Sequence, residues 1–314
     1  MVGVEPTPQS GISNVIAVVC DKGGVGKTAT TANVAGQMAA GGLKVLVVDL
    51  DKSGSLAIPL GMTGQGDDGR GIVDALAGRR PDLEVFEEVR DNLDWIPGGT
   101  ELAALMDMYY RNARLTTLGG MAAVFAQLLA PVAAQYDIVL IDTPPSNLEL
   151  QEVALYAARF AITPTNPGPQ GLEGLRRTAP IIRELQKSRN PKLEWLGAII
   201  CKQPSAAVRM QRTTREYLDG AAIPVFASTI RLVPAVAEQS EIRGLLSHEM
   251  AAQVETDKAG LIRMLRAHQK TSTDRVPPAS TQLSDDYAAL TVELTTLLGE
   301  RRAPRRVLVG GGVA

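Results

Sequence analysis

A glycine-rich run near the start of the chain carries the residue types that bind phosphate. Its residues are Asp21, Lys22, Gly23, Gly24, Val25, Gly26, Lys27 and Thr28. Because glycine has no Cβ, we expect the backbone here to turn its N–H groups onto phosphate oxygens. In such a loop the second lysine reaches the β- and γ-phosphates of a nucleotide, and the threonine hydroxyl binds magnesium. The run therefore predicts a phosphate-binding loop. Asp21 stands where the common pattern has glycine, and the sequence does not explain it.

Carboxylates follow two later apolar stretches. Asp49 and Asp51 end the first, and Asp142 ends the second. A carboxylate at the end of a buried strand can hold magnesium or orient an attacking water. A single aspartate there is more often a turn residue or a helix cap. Three of them, in this order after a phosphate-binding loop, predict a site that binds and hydrolyses a nucleotide.

Apolar strands alternate with helical stretches along most of the chain. The patterns predict strands over 14–20, 44–49, 92–97, 136–142, 160–164, 195–201 and 223–226, and helices over 29–40, 72–77, 100–108, 115–134, 170–187, 205–218 and 283–298. Strands separated by helices of this length form parallel βαβ units. The predicted fold class is α/β, a doubly wound, mostly parallel sheet with helices on both faces, as in P-loop NTPases. Ligands bind at the carboxyl ends of such strands, so the loop and the carboxylates should meet at one edge.

Composition and charge set broad limits. The chain has 314 residues, 45% of them apolar, and a net charge of −2, so any nucleic-acid surface must be local. Cys20 and Cys201 lie in strand-like runs and are expected to be buried thiols rather than metal ligands. No apolar run is long enough to cross a membrane, and we expect a soluble, cytoplasmic protein. We expect a flexible arm at 1–13, one domain over 14–299 and a flexible basic tail at 300–314.

The string from Lys22 to Thr28 resembles the deviant P-loop of the ParA/MinD family of ATPases, in which the early lysine is the signature residue. The resemblance covers residues 14–248 and 283–299. It leaves 249–281 as an insertion without a counterpart in the family.

The resemblance also assigns the carboxylates. Asp51 matches the second carboxylate of the family's Asp-x-Asp motif, which positions the attacking water, and Asp142 matches the Walker B aspartate. It implies a magnesium ion held through Thr28, Asp51 and Asp142. The family continues with Pro-Gln after the second carboxylate, whereas this chain has Lys52-Ser53, which leaves the rate of hydrolysis open.

The same resemblance places Lys202, Gln203 and Ile230 near the adenine of a bound nucleotide. No Asn-Lys-x-Asp motif, which reads guanine, is present in the sequence, and this favours ATP over GTP.

The resemblance further implies a mechanism. Two subunits of such ATPases close over two ATP molecules, and the signature lysine, Lys22 here, reaches the partner's phosphates as a catalytic charge. The ATP-bound homodimer binds DNA without sequence preference, which would associate the protein with the nucleoid. A ParB-like centromere-binding partner then stimulates slow hydrolysis, and the cycle segregates a plasmid, phage or chromosome.

Basic residues are concentrated in one part of the chain. Residues 171–220 hold ten Lys or Arg and five Asp or Glu. Arg209, Arg212 and Arg215 recur every third residue of a predicted helix, and Arg263 and Arg266 share one side of another within 256–270. These arginines are candidate DNA contacts, and ordinary solvated helix faces are the alternative.

Two other functions remain open. MinD-like relatives attach to membranes through an amphipathic C-terminal helix. Here Pro304 and the glycines at 310–312 oppose such a helix, so we do not expect a membrane partner. A small-molecule kinase or synthetase on a P-loop scaffold would instead show turnover that depends on an acceptor substrate.

Overall fold

The computed structural model describes residues 10–105, 120–204, 208–266 and 276–302. Its strands are β1 (Ile12–Val18), β2 (Val45–Asp49), β3 (Phe86–Arg90), β4 (Leu93–Ile96), β5 (Ile138–Asp142), β6 (Ala158–Thr165), β7 (Glu194–Gln203) and β8 (Val225–Arg231). Its helices are α1 (Lys27–Ala40), α2 (Arg70–Leu76), α3 (Met121–Ala133), α4 (Leu148–Ala157), α5 (Pro169–Lys187), α6 (Val208–Gly220), α7 (Pro234–Arg243), α8 (Ser247–Arg266) and α9 (Ala279–Arg302).

The strands form one sheet in the order β3-β4-β2-β5-β1-β6-β7-β8. Every neighbouring pair is parallel except β3 with β4. The predicted α/β class with a mostly parallel sheet is confirmed. The edge strand β3 was not predicted, because its short Phe-Glu-Glu-Val-Arg sequence is largely polar and lacks the continuous apolar run of the inner strands.

Helices pack on both faces of the sheet because successive side chains of an inner strand point to opposite sides. Val15 and Ala17 of β1 belong to a core shared with α2, α3, α4 and part of α5. Ile16 and Val18 belong to the opposite core, shared with α1 and α9. All five residues of β5 are buried. Packing on both faces therefore fixes the positions of the carboxyl ends of the central strands.

Several predicted segments differ from the structure. The helix expected over 100–108 begins as a 3-10 turn at Thr100–Ala104, and 106–108 lie outside the described residues. Helices α4 and α7 were not predicted. The segment 249–281 falls on α8, which already begins at Ser247, and on the start of α9. Parts of the predicted arm, tail and helices lie outside the described residues, at 1–9, 106–119, 205–207, 267–275 and 303–314.

The first turn of α8 is fastened to the edge of the sheet by Arg90. Its Nε donates to Glu249 Oε1 at 2.6 Å, and its two terminal nitrogens donate to the carbonyls of Leu60 and Gly244, each at 2.8 Å. These contacts join the start of the segment expected to be an insertion to β3. In the described part of the chain, no helix has both the length and the apolar character needed to span a bilayer.

We predict that Asn190→Ala destabilises the fold. The buried Asn190 Nδ2 donates to the carbonyls of Leu155 and Ala158, each at 2.8 Å, and of Tyr156 at 3.1 Å, where α4 passes directly into β6. The Leu155 and Ala158 carbonyls would lose this donor, which should cost roughly 1–3 kcal/mol of unfolding free energy, measured by urea denaturation. Gln135→Ala removes an exposed amide and serves as the control. Equal stability of the two variants would contradict the prediction.

Candidate functional site

Three adjacent strands bring the chemistry-bearing residues to one edge of the sheet. In the pairing of β1 with β5, Val18 lies opposite Asp142, and in the pairing of β2 with β5, Asp49 lies opposite Asp142. The glycine-rich run begins just beyond β1. The carboxylates and the loop are therefore neighbours, as the strand ends predicted.

The loop turns sharply into α1. Gly24 (φ +72°) and Gly26 (φ +97°) take the left-handed backbone conformation, whereas Gly23 does not. A Cβ on Gly26 would also lie 3.6 Å from the Cβ of Cys201. Gly26 immediately precedes Lys27, the first residue of α1, so free N–H groups and the positive end of the helix dipole lie beside the loop. This arrangement suits a bound phosphate.

Lys27 folds back over the loop. Its Nζ donates to the carbonyls of Lys22 at 2.9 Å and Cys20 at 3.1 Å. An ammonium has three donors, so one remains for a ligand. Burial lowers the pKa of Lys27, while the neighbouring acidic groups oppose that shift. The side chain is thus a positioned cation inside the loop.

Thr28 and Asp142 join the loop to the sheet. Thr28 Oγ1 donates to Asp142 Oδ2 at 2.6 Å, and Thr31 Oγ1 lies 3.4 Å from Asp142 Oδ1. A threonine hydroxyl that donates its proton keeps its lone pairs for a cation. Among the described residues, no three histidine, cysteine, aspartate or glutamate side chains group together to hold a metal ion. The Thr28 hydroxyl therefore suits magnesium, which in nucleotide sites also keeps waters and phosphate oxygens as ligands.

The two carboxylates after β2 have different surroundings. Asp49 is fully buried, and its oxygens accept the backbone N–H groups of Asp51 at 2.8 Å and Leu56 at 3.1 Å. Burial, and then the nearby Asp142, raise the pKa of Asp49. Asp51 is half-buried and faces the cavity described next. Asp49 thus fixes the turn that presents Asp51.

A cavity of about 490 Å³ extends from the loop across α1. Its polar end contains loop residues, Thr28 and Asp51, and its other end is largely apolar. Lys202 and Ile230, predicted near the adenine, are both in its wall. Gln203 is not, since its amide donates to Gln211 Oε1 at 2.9 Å.

The far wall of the cavity comes from residues that the sequence analysis missed. They are Val236 and Ser240 of α7, Ser247 and Met250 of α8, and Leu283 and Tyr287 of α9. Helical periodicity could have indicated α7 and α8, but periodicity does not say which face meets a ligand.

Two residues of the glycine-rich run, Asp21 and Lys22, do not line this cavity. Lys22 is not in the cavity wall, and its ammonium has no partner among the residues that the structure describes. A Cβ on Gly174 of α5 would come within 2.8 Å of the Lys22 Cβ, so glycine there permits the close approach of α5 to the loop. Asp21 faces the same helix, and its N–H donates to Thr178 Oγ1 at 2.9 Å.

The arginines of the predicted basic face on α6 differ in whether their guanidinium groups already contact other residues. Arg209 is exposed on α6, and Arg212 pairs there with Glu216 at 3.4 Å. Arg215 instead donates to the Ala227 carbonyl of β8 at 2.9 Å. Arg263 and Arg266 lie in the last two turns of α8, and their side chains are outside the described part of the structure.

Several known proteins are similar to this chain in sequence or in fold. A family model for the AAA domain matches residues 13–195. An uncharacterised protein of Mycobacterium tuberculosis is 29% identical over 273 residues, 82% of this chain and 83% of that protein. The chromosome-partitioning ATPase Soj of Thermus thermophilus is 31% identical over 185 residues, 59% of this chain and 68% of Soj. Cobyrinic acid a,c-diamide synthase of Mycobacterium smegmatis, solved with an ATP analogue and magnesium, is 25% identical with a TM-score of 0.63, covering 83% of this chain and 98% of the synthase.

We predict that Asp142→Asn stabilises the nucleotide-free chain near neutral pH. Burial raises the pKa of Asp142 to about 6. The folded chain therefore holds its proton at pH values where the unfolded chain, with a carboxyl pKa of about 3.9, has released it. The protonated Asp142 thus stabilises the fold at low pH. This stabilisation is lost as the pH rises through the pKa of Asp142 in the folded chain. An asparagine has no charge to bury, so its advantage should be largest at about pH 7.5 and shrink toward about pH 4.

Urea denaturation in the presence of EDTA at both pH values measures the effect, and Asp82→Asn, at an exposed carboxyl, is the control. Lower stability of Asp142→Asn at both values would show that its hydrogen bonds with Thr28 and Thr31 outweigh the cost of the buried charge.

Proposed function

The chain belongs to the ParA/MinD superfamily of ATPases, and we propose that it binds and slowly hydrolyses Mg-ATP as a switch for DNA segregation. In this proposal the ATP-bound chain forms a homodimer and binds DNA without sequence preference. A ParB-like protein at a centromere-like site stimulates hydrolysis, and the cycle moves a plasmid, phage or chromosome. The observation that carries the proposal is the different setting of the two loop lysines: Lys27 lies inside the loop, whereas Lys22 does not line the cavity.

The nucleotide site follows from the geometry of the loop. Backbone N–H groups of residues 23–26 and the Lys27 ammonium would hold the phosphates, and the apolar end of the cavity beside Lys202 and Ile230 would take the base. Thr28, Asp51 and Asp142 would hold magnesium, which neutralises phosphate charge when bound. Asp51 faces the cavity and would orient the attacking water. Gln203 is left out of the proposed base site because it faces α6.

The surroundings of Lys22 support a role toward a second subunit. Its ammonium is a compact charge next to the loop but outside its own cavity, and it has no partner within the described ranges of the chain. Such a charge would neutralise phosphates bound to a partner chain. ATP would then bind the dimer better than the monomer and shift the equilibrium toward it.

DNA binding is proposed for the exposed side of α6, with Arg209 and Arg212 as its main contacts. Arg215 is a weaker candidate because its guanidinium already donates to the backbone of β8. Arg263 and Arg266 remain candidates from the sequence. ATP-dependent DNA binding would place the protein on the nucleoid for part of its cycle.

A second candidate is favoured by the likeness to cobyrinic acid a,c-diamide synthase. An ATP-dependent synthetase would use the same phosphate loop and would need an acceptor in or near the cavity. Its ATP turnover would depend on that acceptor and not on DNA.

We predict opposite effects for the two lysines. Lys22→Ala should keep affinity for a non-hydrolysable ATP analogue within a few-fold but abolish the analogue-dependent dimer. Lys27→Ala should weaken analogue binding by roughly tenfold or more, because it removes a charge-assisted hydrogen bond to phosphate. Calorimetry measures the affinity and sedimentation velocity measures the dimer. An undiminished dimer in Lys22→Ala would sink the proposed role of Lys22.

We predict that the double variant Arg209→Ala/Arg212→Ala binds nonspecific duplex DNA more weakly in the presence of the ATP analogue. The slope of log affinity against log salt should become shallower by about 0.9 for each DNA phosphate that the variant no longer neutralises. Arg70→Ala/Arg79→Ala, at exposed sites on and after α2, removes the same charge and should keep the slope. Equal slopes in the two double variants would place the DNA surface elsewhere.

A further inference from the structure

Asp21 introduces a negative charge at the start of the phosphate loop. Its side chain is largely buried, with only 8% of the residue exposed. Oδ1 has no hydrogen-bond partner in the described structure, and Oδ2 lies 3.9 Å from a terminal nitrogen of Arg177 on α5. A buried carboxylate needs compensation, and Arg177 is the cation placed to provide it.

One side of α5 is shaped to receive the loop. Gly174, Arg177 and Thr178 share this side because residues three and four apart are neighbours on a helix. Gly174 leaves room for Lys22 and for the Cys20 Sγ, which a Cβ would approach to 2.8 and 3.0 Å. Thr178 Oγ1 accepts the Asp21 N–H at 2.9 Å. Arg177 adds a charged contact on the same side of α5.

The Asp21 carboxylate directly precedes the loop that would hold a phosphate. It acts electrostatically on Lys27, since it is among the acidic groups that favour the charged ammonium. The same negative charge would repel phosphates held by Lys27 and the loop. A cation on the far side of Asp21 reduces that repulsion without occupying the cavity.

We propose that Arg177 is a positioning residue of the phosphate loop, which offsets the Asp21 carboxylate and holds the loop against α5 so that it accepts an anionic phosphate group. The proposal rests on nucleotide binding at this loop. It explains why aspartate is tolerated where the common pattern has glycine: the carboxylate is turned onto a basic helix instead of toward the ligand.

Neighbouring arginines of α5 have different partners. Arg176 stacks over the Tyr217 ring at 5.0 Å and donates to its hydroxyl at 2.6 Å. Arg183 donates to the Ala221 carbonyl at 3.0 Å. Arg177 also pairs with the exposed Glu173 at 2.6 Å, so a test must separate its two carboxylate partners.

The test measures binding of a magnesium complex of a non-hydrolysable ATP analogue to the full chain by calorimetry. Arg177→Ala should weaken binding roughly threefold to tenfold, the size of one uncompensated, partly screened charge. Adding Asp21→Asn should restore affinity to within about twofold, because the repelling charge is gone. Adding Glu173→Gln should not. Asp21→Asn alone should bind at least as tightly as the unaltered chain.

Arg183→Ala removes the same charge from α5 away from the loop and should bind like the unaltered chain. The defect of Arg177→Ala should also shrink at high ionic strength, which a purely structural role would not produce. Unchanged binding by Arg177→Ala, or rescue by Glu173→Gln but not by Asp21→Asn, would overturn the proposal while leaving the nucleotide site in place. Failure of the unaltered chain to bind the analogue would overturn the proposed function as well.

Discussion

The hydrogen bond from Thr28 to the buried Asp142 is the contact on which the rest of the site depends. It fixes the first turn of α1 to the end of β5, and the register of β5 with β1 and β2 then determines where the loop and Asp49 lie. Parallel strands covered on both faces cannot slip without exposing their apolar side chains, so this geometry is held by the whole core. The arrangement lowers the stability of the nucleotide-free fold, because the Asp142 carboxylate is buried beside that of Asp49. A magnesium ion and a cationic loop would offset this negative charge. Nucleotide binding would therefore stabilise the carboxyl edge of the sheet.

The structure surrounds the loop with supports of different kinds. From one side, α5 offers a glycine, a hydroxyl and an arginine to the segment before Lys27. Helices α7, α8 and α9 supply another wall of the cavity, in which apolar side chains such as Val236, Met250 and Leu283 lie beside a few polar ones. The first turn of α8 is held in turn by Arg90. A nucleotide would therefore meet charge and N–H groups at one end and apolar side chains at the other, which matches its own polarity.

Local patterns predicted the parts of this site that depend on local geometry. The loop and the strand-end aspartates were found because glycine spacing and apolar runs specify a turn and a buried strand. Asp49 illustrates the limit: the resemblance singled out Asp51, but only the fold shows that Asp49 is buried and accepts the N–H groups of the turn, whereas Asp51 faces the cavity. The resemblance grouped Gln203 with Lys202, and helical spacing grouped Arg215 with Arg209 and Arg212. In the fold, Gln203 donates to Gln211 and Arg215 to the Ala227 carbonyl, contacts that neither argument indicates. The wall from α7 to α9 could not be predicted, since these helices lie far from the loop in sequence and such long-range contacts leave no periodic signal.

ATP hydrolysis by the full chain, measured as phosphate release with magnesium, tests the central claim of a DNA-dependent ATP switch most directly. The measurement is made without additions, with nonspecific DNA, with the product of the adjacent gene, with both, and with anionic vesicles. A slow rate that rises when DNA and the adjacent gene product are present together, with no effect of vesicles, is the predicted result. Acceleration by vesicles alone, or turnover that requires a small-molecule acceptor and ignores DNA, would contradict it.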